Sequence, residues 1–258
     1  MQQQAHSKKL LKGAVNAAPV FLSERNNNFF EVSSTNSDLS KKGDIMSKVI
    51  LFQGDSITDG NRLKDNEWDL NHQMGHSYAY IVNSSLGARY PEKNLKFVNK
   101  GISGNIISDL ASRWREDTLR IKPDILSILV GINDCEQISL GGCGSDPVMF
   151  ERIYRTLLDD VKADNPDIKL VLIEPFFLPV GERKAKAEQY FALLEDYQIA
   201  TMRVADDYGA IFVPLQETFN KLAEKYCPEY WIWDGVHPTV CGHQIIAEEW
   251  MKKCKGLI

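Results

Sequence analysis

The sequence predicts an α/β fold: a three-layer α/β/α sandwich around a five-stranded parallel sheet in the flavodoxin-like order 2-1-3-4-5. Three observations lead there. Short runs rich in Val, Ile, Leu and Phe alternate along the chain with longer segments of helical period. The runs do not alternate strictly between apolar and polar residues, which is how strands buried on both faces read. A strand–helix alternation in turn requires a mostly parallel sheet covered on both sides.

The strand candidates are 48–53, 95–99, 124–130, 168–174 and 210–213, and the helix candidates are 76–90, 105–119, 147–163, 183–207 and 238–254. In 183–207, Tyr190, Leu194, Tyr197 and Thr201 recur at three- and four-residue steps and mark one core-facing side. Pro238 suits the first position of the closing helix. No repeat or linker interrupts 47–258, which reads as one domain. Residues 1–46 differ in composition, with Gln2 to Gln4, the run Asn26–Asn28 and many Ser and Lys, and are expected to form a flexible extension. Their one apolar piece is broken by Lys12, Gly13, Asn16 and Pro19, and so lacks the clean run of ~7–15 residues of an export signal. Met46 stands just before the first strand as an alternative start.

The totals narrow the function. At 258 residues and a net charge of −5, the chain carries no basic footprint for nucleic acid. No stretch approaches the ~20 apolar residues that span a bilayer, so no membrane partner is expected. Cys135, Cys143, Cys227, Cys241 and Cys254 are odd in number and lack paired spacing. They read as free thiols of a reducing compartment, which places the expected location in the cytoplasm. His237, Cys241 and His243 lie close together but lack a second ligand pair, so no metal, and no other cofactor, is expected.

In a sheet of this kind ligands collect beyond the carboxyl ends of the strands. Four segments arrive there: Gly54-Asp55-Ser56 after the first strand, Asn99 to Asn105 after the second, Gly131-Ile132-Asn133-Asp134 after the third, and Trp233 to Pro238 before the last helix. Together they hold a hydroxyl, an imidazole, a carboxylate, a side-chain amide and exposed backbone N–H groups, the inventory for acyl transfer. A serine hydroxyl becomes nucleophilic when a base takes its proton. His237 is suited to that, and Asp234, three residues earlier, can fix its tautomer. The developing oxyanion needs donors already aimed at it. Ser56 and Gly101 can offer backbone N–H groups and Asn133 its amide. Gly54 lets the chain turn and deliver Ser56, with Asp55 bracing the loop.

These four blocks, in this order over 48–250, resemble the SGNH (GDSL) hydrolase superfamily. The resemblance implies Ser56, Asp234 and His237 as the catalytic residues, and Ser56, Gly101 and Asn133 as the oxyanion hole. At finer grain, "VNKGISGN", "KPDILSILVGIND", "WDGVHPTVCGHQIIA", "GHSYAYIV" and the stretch Arg113 to Asp117 are similar to bacterial acetylxylan esterases. That similarity implies removal of acetyl groups from xylan fragments, and self-association, since some members form oligomers. The glycine-rich insert Gly141 to Gly144 departs from that group and is expected near the pocket.

The rival readings are weaker. An α/β-hydrolase needs Gly-x-Ser-x-Gly, and position 58 is Thr. A phosphate-binding flavodoxin-like module leaves His237 and Asn133 without roles, and "GDSITDGNRL" lacks the P-loop Lys-Ser/Thr pair. An inactive carbohydrate-binding homologue would not need every key side chain. A lysophospholipase or thioesterase would need an apolar channel, and no long apolar insert supplies one. The expected substrate is a small-molecule or oligosaccharide ester, with Asp55, Asn105 and Trp233 as candidate contacts. Trp68, Tyr230, Trp231 and Trp233 offer flat faces for a sugar ring, although Trp231 and Trp233 serve equally well as core.

Overall fold

The computed structural model describes residues 47–64 and 70–258. The expectations for residues 1–46, including Met46 as a start, and for Trp68 lie outside the described residues. The elements are β1 (Lys48–Gly54), α1 (Ser56–Asp59), α2 (Leu70–Met74), α3 (Tyr78–Arg89), β2 (Leu95–Asn99), α4 (Ile107–Asp117), β3 (Ile125–Leu129), α5 (Ile132–Ser139), α6 (Pro147–Asp164), β4 (Lys169–Ile173), α7 (Ala187–Tyr208), β5 (Ile211–Val213), α8 (Gln216–Lys225) and α9 (Val240–Lys253).

The five strands form one parallel sheet in the order β2-β1-β3-β4-β5, as the alternation predicts. Registers such as Leu51 opposite Val98 and Leu126 bring the carboxyl ends of β1, β2 and β3 to one edge. Ile50, Leu51 and Phe52 in β1 and Leu170 to Ile173 in β4 are buried, so both faces of the central strands are covered.

Side chains alternate across a strand, and β1 shows which helices cover which face. Phe52 packs edge-on against Tyr78 of α3 and tilted against Trp250 of α9, with ring centroids 5.8 and 5.6 Å apart. Trp250 also donates its Nε1–H to Ser127 Oγ of β3 at 3.0 Å, which satisfies two polar atoms inside the core. Gln53, on the opposite face, donates to the carbonyl of Asp117 and to Thr118 Oγ1 at the end of α4. α3 and α9 thus form one outer layer, and α4 lies in the other.

Two expectations are corrected. The segment 183–207 does not begin as α-helix: Gly181–Lys186 is a 3₁₀ turn and α7 starts at Ala187. The predicted inward side of α7 holds, with Tyr190, Leu194, Tyr197 and Thr201 all buried. Pro238 does not open the last helix. Thr239 is the N-cap of α9, its Oγ1 accepting from the N–H of Gly242 at 3.2 Å. Pro238 instead pairs with Ile232 in an isolated antiparallel bridge that closes the loop carrying Asp234 and His237.

Candidate active site

Ser56 is the first residue of α1, directly past the carboxyl end of β1. Asp55 caps that helix: its Oδ1 accepts the N–H of Ile57 at 3.0 Å. Asn99, at the end of β2, holds the loop from the other side. Its Nδ2 donates to the carbonyls of Thr58 and Met74 at 2.7 and 2.9 Å. The Ser56 backbone N–H, at the start of the helix, has no acceptor among the described residues and is free to act as a donor.

His237 Nε2 lies 2.8 Å from Ser56 Oγ, and its Nδ1 lies 2.7 Å from Asp234 Oδ2. A carboxylate can only accept, so Nδ1 carries the proton, leaving Nε2 to accept from the serine hydroxyl. Asp234 is fixed in turn, because its Oδ1 accepts the N–H groups of Val236 at 3.0 Å and His237 at 2.7 Å. Ser56, 181 positions from His237, thus joins the Asp234–His237 pair in one directed relay. Burial alone would raise the Asp234 pKa, but hydrogen bonds from the His237 ring and from two backbone N–H groups outweigh it and hold the carboxyl well below its usual range. The hydrogen bond to Asp234 raises His237 against the opposing effect of burial.

A cavity of about 260 Å³ opens beside this relay, walled by Ser56, Asn61, His76, Ser103, Trp233 and His237 among others. Trp233 is 61% exposed and stacks on the His237 ring at 5.6 Å, so it shields one imidazole face and offers its own face to solvent. His243 also lines this cavity. Its Nδ1 accepts the Tyr78 N–H at 3.2 Å, which places its proton on Nε2. Burial, with His76 and His237 nearby, lowers its pKa to about 4, so it is a neutral donor. A larger groove of about 620 Å³ involves Asp146, Arg152, Asp196 and Arg203 but no serine, cysteine or histidine, so the chemistry belongs to the smaller one.

The oxyanion donors need revision. Gly101 N–H is already committed to Asn99 Oδ1 at 2.9 Å. A Cβ at this position would sit 2.4 Å from the backbone nitrogen of Asp59, so Gly101 is a glycine because two loops touch there. Gly104 stands three residues further along the same segment. It has φ +81°, nothing packed where a Cβ would stand, and an N–H without an acceptor among the described residues. Asn133 keeps its expected place. One amide hydrogen goes to the Asn105 carbonyl at 3.0 Å, which orients the group and leaves the other free.

The other candidates divide. Trp233 stands at the cavity. Asp55 does not: it is fully buried, burial pushes its pKa up to about 7, and Oδ2 has no partner. It cannot reach a substrate, and its work is to brace the loop. Asn105 is not on the cavity wall either, since its Oδ1 accepts from Arg113 Nε at 2.8 Å and its carbonyl holds Asn133. Arg113, which sequence reasoning singled out only by resemblance, also donates to the carbonyls of Lys100 and Gly54, tying β1 to the segment carrying Gly104. The insert Gly141 to Gly144 is absent from the wall. Gly144 packs on the Asp134 backbone, and Ser145 N–H donates to Asp134 Oδ1 at 3.2 Å. Trp231 is half-buried and Tyr230 exposed.

Comparison with known proteins agrees with this arrangement. The model of the GDSL-like lipase/acylhydrolase family matches residues 52–245. An acetylxylan esterase of Geobacillus stearothermophilus is 34% identical over 206 residues, covering 79% of this chain and 92% of that protein. The crystal structure of Axe2, an acetylxylan esterase from the same organism, superposes with a TM-score of 0.70 at 33% identity, over 80% of this chain and 93% of that one. Axe2 has also been solved as catalytic mutants that replace an aspartate, a serine or a histidine by alanine. LAE5, an α/β hydrolase enzyme from the Lake Arreo metagenome, gives 0.67 at 32% identity, over 84% of this chain and 100% of that one. With the family match running through three-quarters of its length and a relative 34% identical over most of it, the chain belongs to the GDSL-like lipase/acylhydrolase family and is a carboxylic ester hydrolase.

Proposed function

We propose that this esterase removes acetyl groups from short acetylated xylo-oligosaccharides through an acyl-enzyme intermediate. The observation that carries the mechanism is the Ser56–His237–Asp234 relay, at 2.8 and 2.7 Å. His237 takes the Ser56 proton as Oγ attacks the acetyl carbonyl. The N–H groups of Ser56 and Gly104 and the amide of Asn133 receive the oxyanion. His237 then protonates the departing sugar hydroxyl, the C–O bond breaks, and acetyl remains on Ser56. Water, deprotonated by His237, attacks that ester and frees acetate. Asp234 keeps the imidazole in the required tautomer throughout.

The substrate half rests on three supports. The cavity is small and carries polar groups, including His76, His243 and Asn61, so it suits an acetyl group with a hydroxylated alcohol rather than a long acyl chain. The exposed face of Trp233 is placed for stacking on a sugar ring. The relatives described above are acetylxylan esterases. The test compares nitrophenyl acetate, butyrate and decanoate, then acetylated xylo-oligosaccharides, with Ser56→Ala as control. Acetate and acetylated oligosaccharides should be turned over best, and Ser56→Ala should abolish turnover while the protein stays folded. Preference for decanoate overturns the substrate assignment, and an active Ser56→Ala overturns the mechanism.

A further inference from the structure

Asp234 Oδ2 is shared. Besides the His237 ring at 2.7 Å, it accepts from Arg183 Nη1 at 3.1 Å, and the same nitrogen reaches the Asp234 carbonyl at 3.1 Å. With two backbone N–H groups on Oδ1, the carboxylate receives four hydrogen bonds, which fills its acceptor capacity. Arg183 stands in the 3₁₀ turn before α7, and its approach is braced from behind. Its Nε donates to Glu136 Oε1 at 2.9 Å, and the Tyr190 hydroxyl donates to the same oxygen at 2.9 Å. Glu136 is on α5, three residues after Asn133. The unit Tyr190–Glu136–Arg183 therefore connects the loop that holds the base to helix α5, which carries Asn133.

We propose that Arg183 is a positioning residue: it clamps the Asp234 carboxylate against His237 and tempers the negative charge that the carboxylate presents to the imidazole, with Glu136 setting how far that tempering goes. The physical reasoning is electrostatic. Asp234 favours the imidazolium, and a permanent cation on the same oxygen opposes it. The charged groups facing His237 are Asp234, Asp55 and Arg183, with His243 facing it from α9 in neutral form. Glu136 answers Arg183 from α5 through the ion pair already described. A base tempered this way is neutral, and ready to accept a proton, over a wider range of pH.

The kinetic part rests on the hydrolase reading above; the titration part does not. Three variants are compared with the parent, each read twice: by NMR titration of the His237 ring, and by the acid limb of kcat/KM on nitrophenyl acetate. Arg183→Met removes the cation, so both titrations should move to higher pH and kcat should fall about tenfold, the size of one lost charge-assisted hydrogen bond. Glu136→Gln leaves the cation less compensated, so both should move to lower pH. Arg183→Lys keeps the charge but cannot reproduce the fork that spans Glu136 and Asp234, so the titration should stay near the parent while kcat falls. Opposite shifts in the first two variants support the proposal. Shifts of the same sign, or none, overturn it and leave Arg183 as a structural tie between loops. If Arg183→Met fails to fold, a shift to lower pH in Glu136→Gln with Arg183→Lys near the parent supports the proposal, and a shift to higher pH or none in Glu136→Gln overturns it. Loss of all esterase activity in the parent would sink the hydrolase reading while leaving the NMR result to judge Arg183.

Discussion

Asp234→Asn is the sharpest test of the relay, because the structure dictates how the new amide must sit. The Oδ1 position accepts N–H groups from Val236 and His237 at 3.0 and 2.7 Å, and only an oxygen can occupy it. The amide oxygen is therefore pinned there. The NH₂ falls where Oδ2 stood, 2.7 Å from His237 Nδ1 and 3.1 Å from Arg183 Nη1. An NH₂ cannot accept the Nδ1 proton. The imidazole relieves the conflict by moving that proton to Nε2, 2.8 Å from Ser56 Oγ, and so loses its ability to take the serine proton. The side chain keeps its size and its backbone contacts; what is lost is the tautomer, together with the charge and the hydrogen bond that Oδ2 accepts from Arg183. In a Ser-His-Asp triad that loss is worth about 10⁴ in kcat, roughly 5.5 kcal/mol of transition-state stabilisation. Asp234 is not on the cavity wall, so KM should stay within about twofold of the parent. Steady-state hydrolysis of nitrophenyl acetate, with circular dichroism to show the fold intact, makes the measurement. A folded variant that loses less than about tenfold in kcat would show that the tautomer does not limit the reaction, and the relay argument would fail.

Two further predictions concern the loops around the nucleophile. Asn133→Ala should lower kcat by about 10²–10³ with KM little changed, because the amide meets an oxyanion that exists only after attack; an equal loss confined to KM would make Asn133 a substrate contact instead. Asp55→Asn should change the pH dependence of stability. The buried carboxyl titrates near 7 in the folded chain against about 3.9 when unfolded, so between those values the folded state holds a proton that the unfolded state has released. That lowers the stability of the parent as pH rises through the window, while Asn has no such proton and can keep the cap to Ile57. The Tm of the variant relative to the parent should therefore climb between about pH 4 and pH 7 and level off above that, and a constant difference would contradict it.

The sheet was legible because its central strands are buried on both faces and its partly buried edge strands still form short apolar runs. Such runs need no partner information to be seen: the run at 95–99 coincides with β2, and the others differ from their strands by a residue at one or both ends. The short helices were not legible. α1 and α2 have four and five residues, too few for a 3.6-residue period to show. α8 has an apolar stripe of only Phe219, Leu222 and Ala223, too few residues to stand out over its ten positions. The early start assigned to the helix at 183 has a similar cause. The segment from Gly181 to Lys186 buries no residue, so its pattern does not distinguish a 3₁₀ turn from the first turn of α7.

The site was legible as far as its residue types declared a chemistry, and no further. Ser56 and Asp234 each come within hydrogen-bond distance of His237. The segment Gly101-Ile102-Ser103-Gly104 holds two glycines, and nothing in the letters says which N–H is free. That depends on Asn99, whose amide oxygen reaches forward two residues and consumes the Gly101 donor. It depends also on Asp59, whose backbone nitrogen leaves no room for a Cβ at 101. Arg183 was invisible for a related reason. It precedes Asp234 by 51 positions in a turn without a periodic pattern, and its meaning comes from an oxygen that it shares with an imidazole. Motifs record groups that react, each recognisable alone. The groups that set how strongly those react act through acceptors already in use, and so they become visible only once every hydrogen bond around the reacting atoms has been assigned an owner.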